Sequence, residues 1–267
     1  MRKLTRRIAG LIGGALLGVP TFVVPALAAP LPGADWDWQL SEAIDPPGGI
    51  EVFDADPDNV TREQITALNE AGVYTICYVS VGTMEDWRDD AATYRDPLIF
   101  PEPVVGKAYE EWPGEFFLDI RQSNLRYVMQ RKFNDCKIKG FQAVEPDNMD
   151  VYTNDSGFDI SAADTVRYVA QLVMDAHAQG LEIGQKNAPE LIIKLSSIMD
   201  FIITEECYAG GWCDQVLPYI AAGKPVFNAE YTDMNVDFNA ACAYAKENNI
   251  SMILKDRDLN TGREVCQ

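Results

Sequence analysis

Residues 140–150, GFQAVEPDNMD, couple an apolar run to a knot of acids: Glu145, Asp147 and Asp150, with Asn148 between them. Pro146 interrupts the acids, and proline cannot donate to a strand ladder. The pattern predicts a buried strand that carries carboxylates to its C-terminal end. A solvated acidic loop is the plain alternative. Glu145 and Asp147 share one face only if the strand runs through Pro146.

The rest of the chain repeats this pattern. Apolar runs occur at IEVFDAD (50–56), VYTICYVSV (73–81), EFFLDIR (115–121), GFQAVEPDN (140–148), LEIGQKNA (181–188), FIITEEC (201–207), PVFNAEYTD (225–233) and SMILKDRD (251–258), eight in all. Helical periodicity fills most of the gaps, at 61–71, 124–137, 161–179, 189–197, 214–222 and 236–248. Thr61 and Gln64 are spaced as a capping box, and Gly72, Gly180 and Gly223 stand where helices end. Strands alternating with helices mean parallel βα units, and eight of them predict an α/β fold, a single-domain (β/α)8 TIM barrel. A doubly wound sheet is the competitor, but no GxGxxG follows the first run and no P-loop motif is present.

The 267 residues, 47% of them hydrophobic, suffice for one large core. Residues 1–28 combine four early cations (Arg2, Lys3, Arg6, Arg7), an apolar stretch and Ala26-Leu27-Ala28, the layout of a cleavable signal peptide. The expected catalytic domain is then 29–267, in a secreted, extracellular protein. The net charge of -19 becomes about -23 once those four cations leave. Such a surface repels nucleic acid and anionic membranes and attracts cations. A monomer with neither nucleic acid nor membrane as partner is expected.

Six cysteines in an exported chain allow three disulfides in fifteen arrangements. Spacing favours Cys207 with Cys213 across CYAGGWC; Cys242 with Cys266 would pin the tail to the last helix, leaving Cys77 with Cys136. His177 is the only histidine and no CxxC occurs, which disfavours a metal, a cofactor of that kind, or a Ser-His-Asp triad. Residues 82–114 break the rhythm with Trp87, Tyr94, Phe100, Tyr109 and Trp112. A long aromatic loop after a barrel strand lies over the C-terminal face, where rings could stack on sugars or simply pack on each other.

Ionisable residues gather at the ends of the runs: Asp54, Asp119, Glu145 and Asp147, Lys186 with Asn187, Glu205 and Glu206, Glu230. Buried carboxylates cost several kcal/mol unless partnered, with Lys186 and Arg121 the available cations. Two facing carboxylates are the machinery of glycoside hydrolysis. A Schiff base at Lys186 is the rival, opposed by the acids that would keep it protonated.

The segments WDWQL, VFDAD, GFQAVEPDNMDVY, GQKNAPEL, TEEC and NAEYTD, spread from Trp36 to Asp258, resemble glycoside hydrolase family 114, secreted endo-α-1,4-polygalactosaminidases built on a (β/α)8 barrel. The resemblance implies Asp147 as nucleophile and Glu205 as acid/base. It also implies a cationic, galactosamine-containing polysaccharide as substrate. Thr204 departs from the asparagine the family carries there. Asp54, Tyr78, Asp119, Lys186, Asn187, Trp212 and Glu230 are the candidate substrate-binding residues, with Glu145 and Glu206 as near neighbours of the catalytic pair. A non-catalytic barrel that binds amino-sugar polymers would use the same acids.

Overall fold

A computed structural model describes residues 29–41 and 43–266; the expected signal peptide lies outside them. Eight parallel strands form the barrel: β1 (Trp36–Gln39), β2 (Val52–Ala55), β3 (Tyr74–Ser80), β7 (Ala143–Asp147), β8 (Glu182–Lys186), β9 (Phe201–Glu205), β10 (Val226–Tyr231) and β11 (Ser251–Lys255). They are hydrogen-bonded in that order, and β12 (Arg263–Val265) adds antiparallel to β11. The seam between β11 and β1 is tied by charge: Lys255 Nζ lies 2.9 Å from Asp37 Oδ1, and Arg263 binds Asp35. The helices α1 (Arg62–Glu70), α2 (Leu125–Lys139), α3 (Ala162–Ala178), α4 (Ile192–Leu195), α5 (Leu217–Ala221) and α6 (Phe238–Asn248) follow the expected segments, and Thr61 and Gln64 do form a capping box.

The strand count matches expectation but its membership does not. WDWQ, which is not among the eight runs read as strands, is the first barrel strand, with Trp36 and Trp38 turned into the barrel core. EFFLDIR is not a barrel strand. Its Glu115–Leu118 segment is β6, the centre of a separate antiparallel sheet with β4 (Thr83–Glu85) and β5 (Val105–Ala108). The whole stretch between β3 and α2 is therefore one elaborated βα connection carrying its own sheet. Gly82 joins this sheet to the barrel: a Cβ there would stand 1.7 Å from the Asn148 carbonyl oxygen, so only glycine permits the approach.

Two apolar layers divide the side chains by strand parity. Val52, Ile76, Ala143, Ile203, Phe227 and Ala229 fill the barrel, while Phe53, Cys77, Val144, Ile202 and Val226 face the helices. The three disulfides are Cys77–Cys136, which staples β3 to α2, Cys207–Cys213, and Cys242–Cys266, which holds the tail against α6.

Candidate active site

Strand β7 runs unbroken through Pro146, so Glu145 and Asp147 both point into the barrel. They meet Lys186 from the end of β8 and Glu205 from the end of β9. Lys186 Nζ lies 2.8 Å from Asp147 Oδ1, 3.1 Å from Glu145 Oε1 and 3.3 Å from Glu205 Oε2. The Trp38 ring sits beneath it, with the centroid 4.7 Å away, and Trp38 Nε1 donates to Glu145 Oε2 at 3.1 Å. Tyr78 Oη donates to Asp147 Oδ2 at 2.9 Å. Tyr231 Oη and Asn187 Nδ2 donate to the two oxygens of Glu205 at 2.5 and 2.8 Å.

Burial pulls the Lys186 pKa down, but Asp147, Glu205 and Glu145 more than reverse that and hold it well above the ordinary value. Burial pushes Glu205 up, and the outcome is nonetheless a lowered pKa, because Lys186, Tyr231 and Asn187 all favour its charged form. Below this layer Asp54 is fully buried, with no donor to either oxygen and the Glu145 carboxyl as its neighbour. Burial and the Glu145 charge raise Asp54 well above its usual range, and burial raises Glu145 too. Ionising both of two carboxyls so placed is disfavoured, since each charge raises the other's pKa.

Trp38, Tyr78, Asp147, Lys186, Glu205 and Tyr231 line a cleft of about 1130 Å³ over the C-terminal mouth, with Asp54 and Glu145 not among its lining residues. Ten carboxylates and three cations face it. Four residues at its strand ends, Asn148, Asn187, Ala188 and Glu206, have φ between 45° and 59°, an uncommon conformation for non-glycine residues. Such positions persist only where the surroundings over-determine them.

Several expected site residues lie elsewhere. Glu230 is on the outer parity of β10 and accepts from the backbone N–H groups of Tyr208 and Ala209, bracing the Cys207–Cys213 loop. Its neighbour Tyr231 is the one that faces the cleft. Trp212 packs half-buried against the helix-side core. Asp119 lies outside the barrel mouth, paired with Arg121 at 2.7 Å beside a separate shallow depression. Glu206 stays at the cleft but is taken up by Arg257 rather than by the Lys186 cluster. Trp38, Tyr231 and Glu115 were missed; the alternation in WDWQ and the 227-229-231 parity of β10 were the available signals.

Glu115 reaches the cleft from β6. Its Oε2 accepts from Thr83 Oγ1 at 2.5 Å and Asn148 Nδ2 at 3.2 Å, one residue from Asp147. Burial raises its pKa to about 7; the Thr83 bond opposes this and the Asp147 and Glu85 charges add to it. A folded-state value above the unfolded one gives stability that is full below about pH 4.5 and is lost as pH rises through about 7, here up to about 3 kcal/mol. Asp54 and Glu145 act in the same direction. Thermal unfolding should therefore give a higher Tm near pH 5 than near pH 8, and Glu115→Gln should flatten that slope. An undiminished slope in the variant would show that Glu115 does not titrate in this window.

A (β/α)8 barrel with a pair of carboxylates poised on one lysine at its C-terminal mouth has the architecture of an acid/base glycosidase. The profile of glycoside-hydrolase family GH114 matches residues 20–267, and the chain belongs to that family; it is a glycoside hydrolase. It superposes on the Aspergillus fumigatus Ega3 complex with galactosamine with a TM-score of 0.82 and 33% identity, over 91% of this chain and 99% of Ega3. The glycoside hydrolase domain of PelA from Pseudomonas aeruginosa matches with a TM-score of 0.67 and 14% identity, over 86% and 98% of the two chains, a likeness of fold. Comparison with curated proteins gives no match.

Proposed function

We propose that this protein is a secreted, endo-acting hydrolase of α-1,4-linked, galactosamine-containing polysaccharide, with Asp147 as nucleophile and Glu205 as acid/base. The observation that carries the mechanism is the shared ammonium. Lys186 Nζ contacts Asp147 Oδ1 at 2.8 Å and Glu205 Oε2 at 3.3 Å, so those oxygens stand no more than about 6 Å apart. A ceiling of that kind on one pair of oxygens accommodates the roughly 5–5.5 Å between carboxyl groups of a retaining pair, and the retaining route is the one proposed.

In the first step Asp147 attacks the anomeric carbon while the bond to the leaving oxygen breaks and Glu205 protonates that oxygen. In the second, water gives its proton to Glu205 and displaces Asp147, restoring the starting configuration. Glu205 is a carboxylate in the free protein, so its proton must be gained on substrate binding. A sugar over the mouth excludes water, which strengthens the burial effect already pushing Glu205 upward, and a leaving group that displaces Asn187 or Tyr231 removes a donor to its charged form. Lys186, held protonated, orients both carboxylates and is unsuited to Schiff-base chemistry.

The substrate reading rests on the likeness to Ega3, whose structure contains galactosamine, and on the excess of carboxylates over cations in the cleft, which suits a polymer bearing ammonium groups. Export is supported by the three disulfides, with no free cysteine among the described residues. The test is incubation of the purified protein with an α-1,4-linked galactosamine polymer, with products sized by chromatography and their anomeric form followed by NMR. Mid-chain cleavage giving α-anomers is expected. β-Anomers would overturn the retaining mechanism, and binding without cleavage would leave a sugar-binding barrel.

A further inference from the structure

Of the five tryptophans, Trp36 and Trp38 are 1% exposed and Trp212 is half-buried, but Trp87 and Trp112 are 56% and 50% exposed. Both line the cleft, Trp87 just after β4 and Trp112 between β5 and β6, on the wall built by the small antiparallel sheet. Leaving two large rings in water at one wall forgoes their burial and marks a surface meant to be covered.

The rings are also held in place. Trp112 is at the tip of the β5–β6 hairpin, which is closed by the Tyr109 N–H donating to the Glu115 carbonyl at 2.8 Å. Tyr109 packs on Phe117 with centroids 4.7 Å apart, rooting the hairpin in the sheet. Trp87 lies over Gly114, where a Cβ would come within 2.8 Å of the ring, and Gly114 has φ +98°, so the position is closed to larger residues on both counts. The next residue, Arg88, is clamped by Asp56, Asp58 and Glu85 at 2.7–2.8 Å. On the same wall Glu111 is exposed and has no cation partner among the described residues, whereas Arg88 and Arg257 are committed to other acids.

We propose that Trp87, Trp112 and Glu111 form an aromatic subsite on the small-sheet wall of the cleft that grips a cationic hexosamine unit of the polymer other than the one undergoing cleavage. A pyranose presents a face of C–H groups to a tryptophan, and its ammonium can lie over a ring or against a free carboxylate. The occupant is the substrate chain itself, so the proposal rests on the function proposed above. It predicts that the enzyme gains affinity from chain length.

The test compares wild type with Trp87→Ala, Trp112→Ala, the double variant and Glu111→Gln, on long deacetylated α-1,4-galactosamine polymer and on defined oligosaccharides. Each tryptophan variant should raise KM on the polymer roughly tenfold, with the change in kcat much smaller, and the penalty should shrink as the substrate shortens. In an Asp147→Asn background, polymer retention on an affinity gel should fall in parallel. Glu111→Gln should weaken binding of deacetylated polymer and not of fully N-acetylated polymer. If wild type cleaves the polymer and the double variant matches it in KM and retention, the subsite is overturned and the function stands. If wild type neither binds nor cleaves the polymer, both are overturned.

Discussion

Asp147→Asn is expected to abolish cleavage of both polymer and activated aryl galactosaminides, whereas Glu205→Gln should lose polymer cleavage and keep a measurable rate on an aryl substrate with a good leaving group. The asymmetry follows from what each carboxylate must do. Asp147 forms the bond to the anomeric carbon, and an amide in its place cannot attack, so a loss of about 10⁴-fold or more is expected on every substrate. Glu205 supplies a proton to the departing oxygen, a contribution of roughly 10²–10⁴ that a phenolate of low pKa does not need. The Glu205→Gln side chain can keep its oxygen toward Asn187 and Lys186 and turn its amide NH2 to the Tyr231 hydroxyl, which can accept, so polymer binding should change little. Azide added to Glu205→Ala should raise the rate on the aryl substrate by filling the vacated space. If Glu205→Gln is dead on aryl substrates and Asp147→Asn is not, the two roles are exchanged. Full polymer activity in both variants would refute the assignment, and full activity of both with Glu145→Gln inactive would move the nucleophile one layer down β7.

Strand parity explains most of what could and could not be read from the sequence. GFQAVEPDN gave a strand whose acids face inward because 143, 145 and 147 share a face and Pro146 sits on the other one. The same rule applied to NAEYTD would have chosen Tyr231 over Glu230, since Phe227 and Ala229 are the core residues of β10. Charge drew attention to the wrong neighbour. WDWQ alternates perfectly, but four residues between proline- and glycine-rich segments carry too weak a signal for a strand, and its partners Glu145 and Lys255 lie 107 and 218 residues away in sequence. EFFLDIR has the composition of a buried strand and is one; nothing local distinguishes a strand of an inserted antiparallel sheet from one of the barrel. That misplacement carried Asp119 with it. The disulfides were legible because loop length and helix position left few sensible partners. The contacts that define the site, Trp38 under Lys186 and Glu115 on Asn148, are long-range and could come only from the folded chain.

Lys186→Met should have the second largest effect, because one buried ammonium holds three carboxylates. Lys186 is 3% exposed and is the cation to which Asp147, Glu145 and Glu205 are paired, while Asp54 below has no donor of its own. Methionine fills much of the lysine stem but leaves these charges facing one another in a buried layer. Removing one partner of a buried pair costs about 3–5 kcal/mol, and the remaining acids can relieve that cost only by taking up protons. Lys186 is what lowers Glu145 and Glu205, so both should rise in the variant, and a raised folded-state pKa gives stability that is present at low pH and lost as pH climbs. The Tm deficit of Lys186→Met relative to wild type should accordingly be small near pH 5 and large near pH 8. Activity should fall by about 10²-fold or more even in folded protein, because an unclamped pair drifts from the spacing that displacement requires. Lys186→Arg should fold better than Lys186→Met at pH 8 yet stay impaired, since a planar guanidinium cannot place one nitrogen against three carboxylates above the Trp38 ring. A Lys186→Met enzyme with wild-type stability at pH 8 would mean that the barrel floor carries fewer charges than its four carboxylates suggest, and the shared-ammonium basis for the Asp147–Glu205 pair would fall with it.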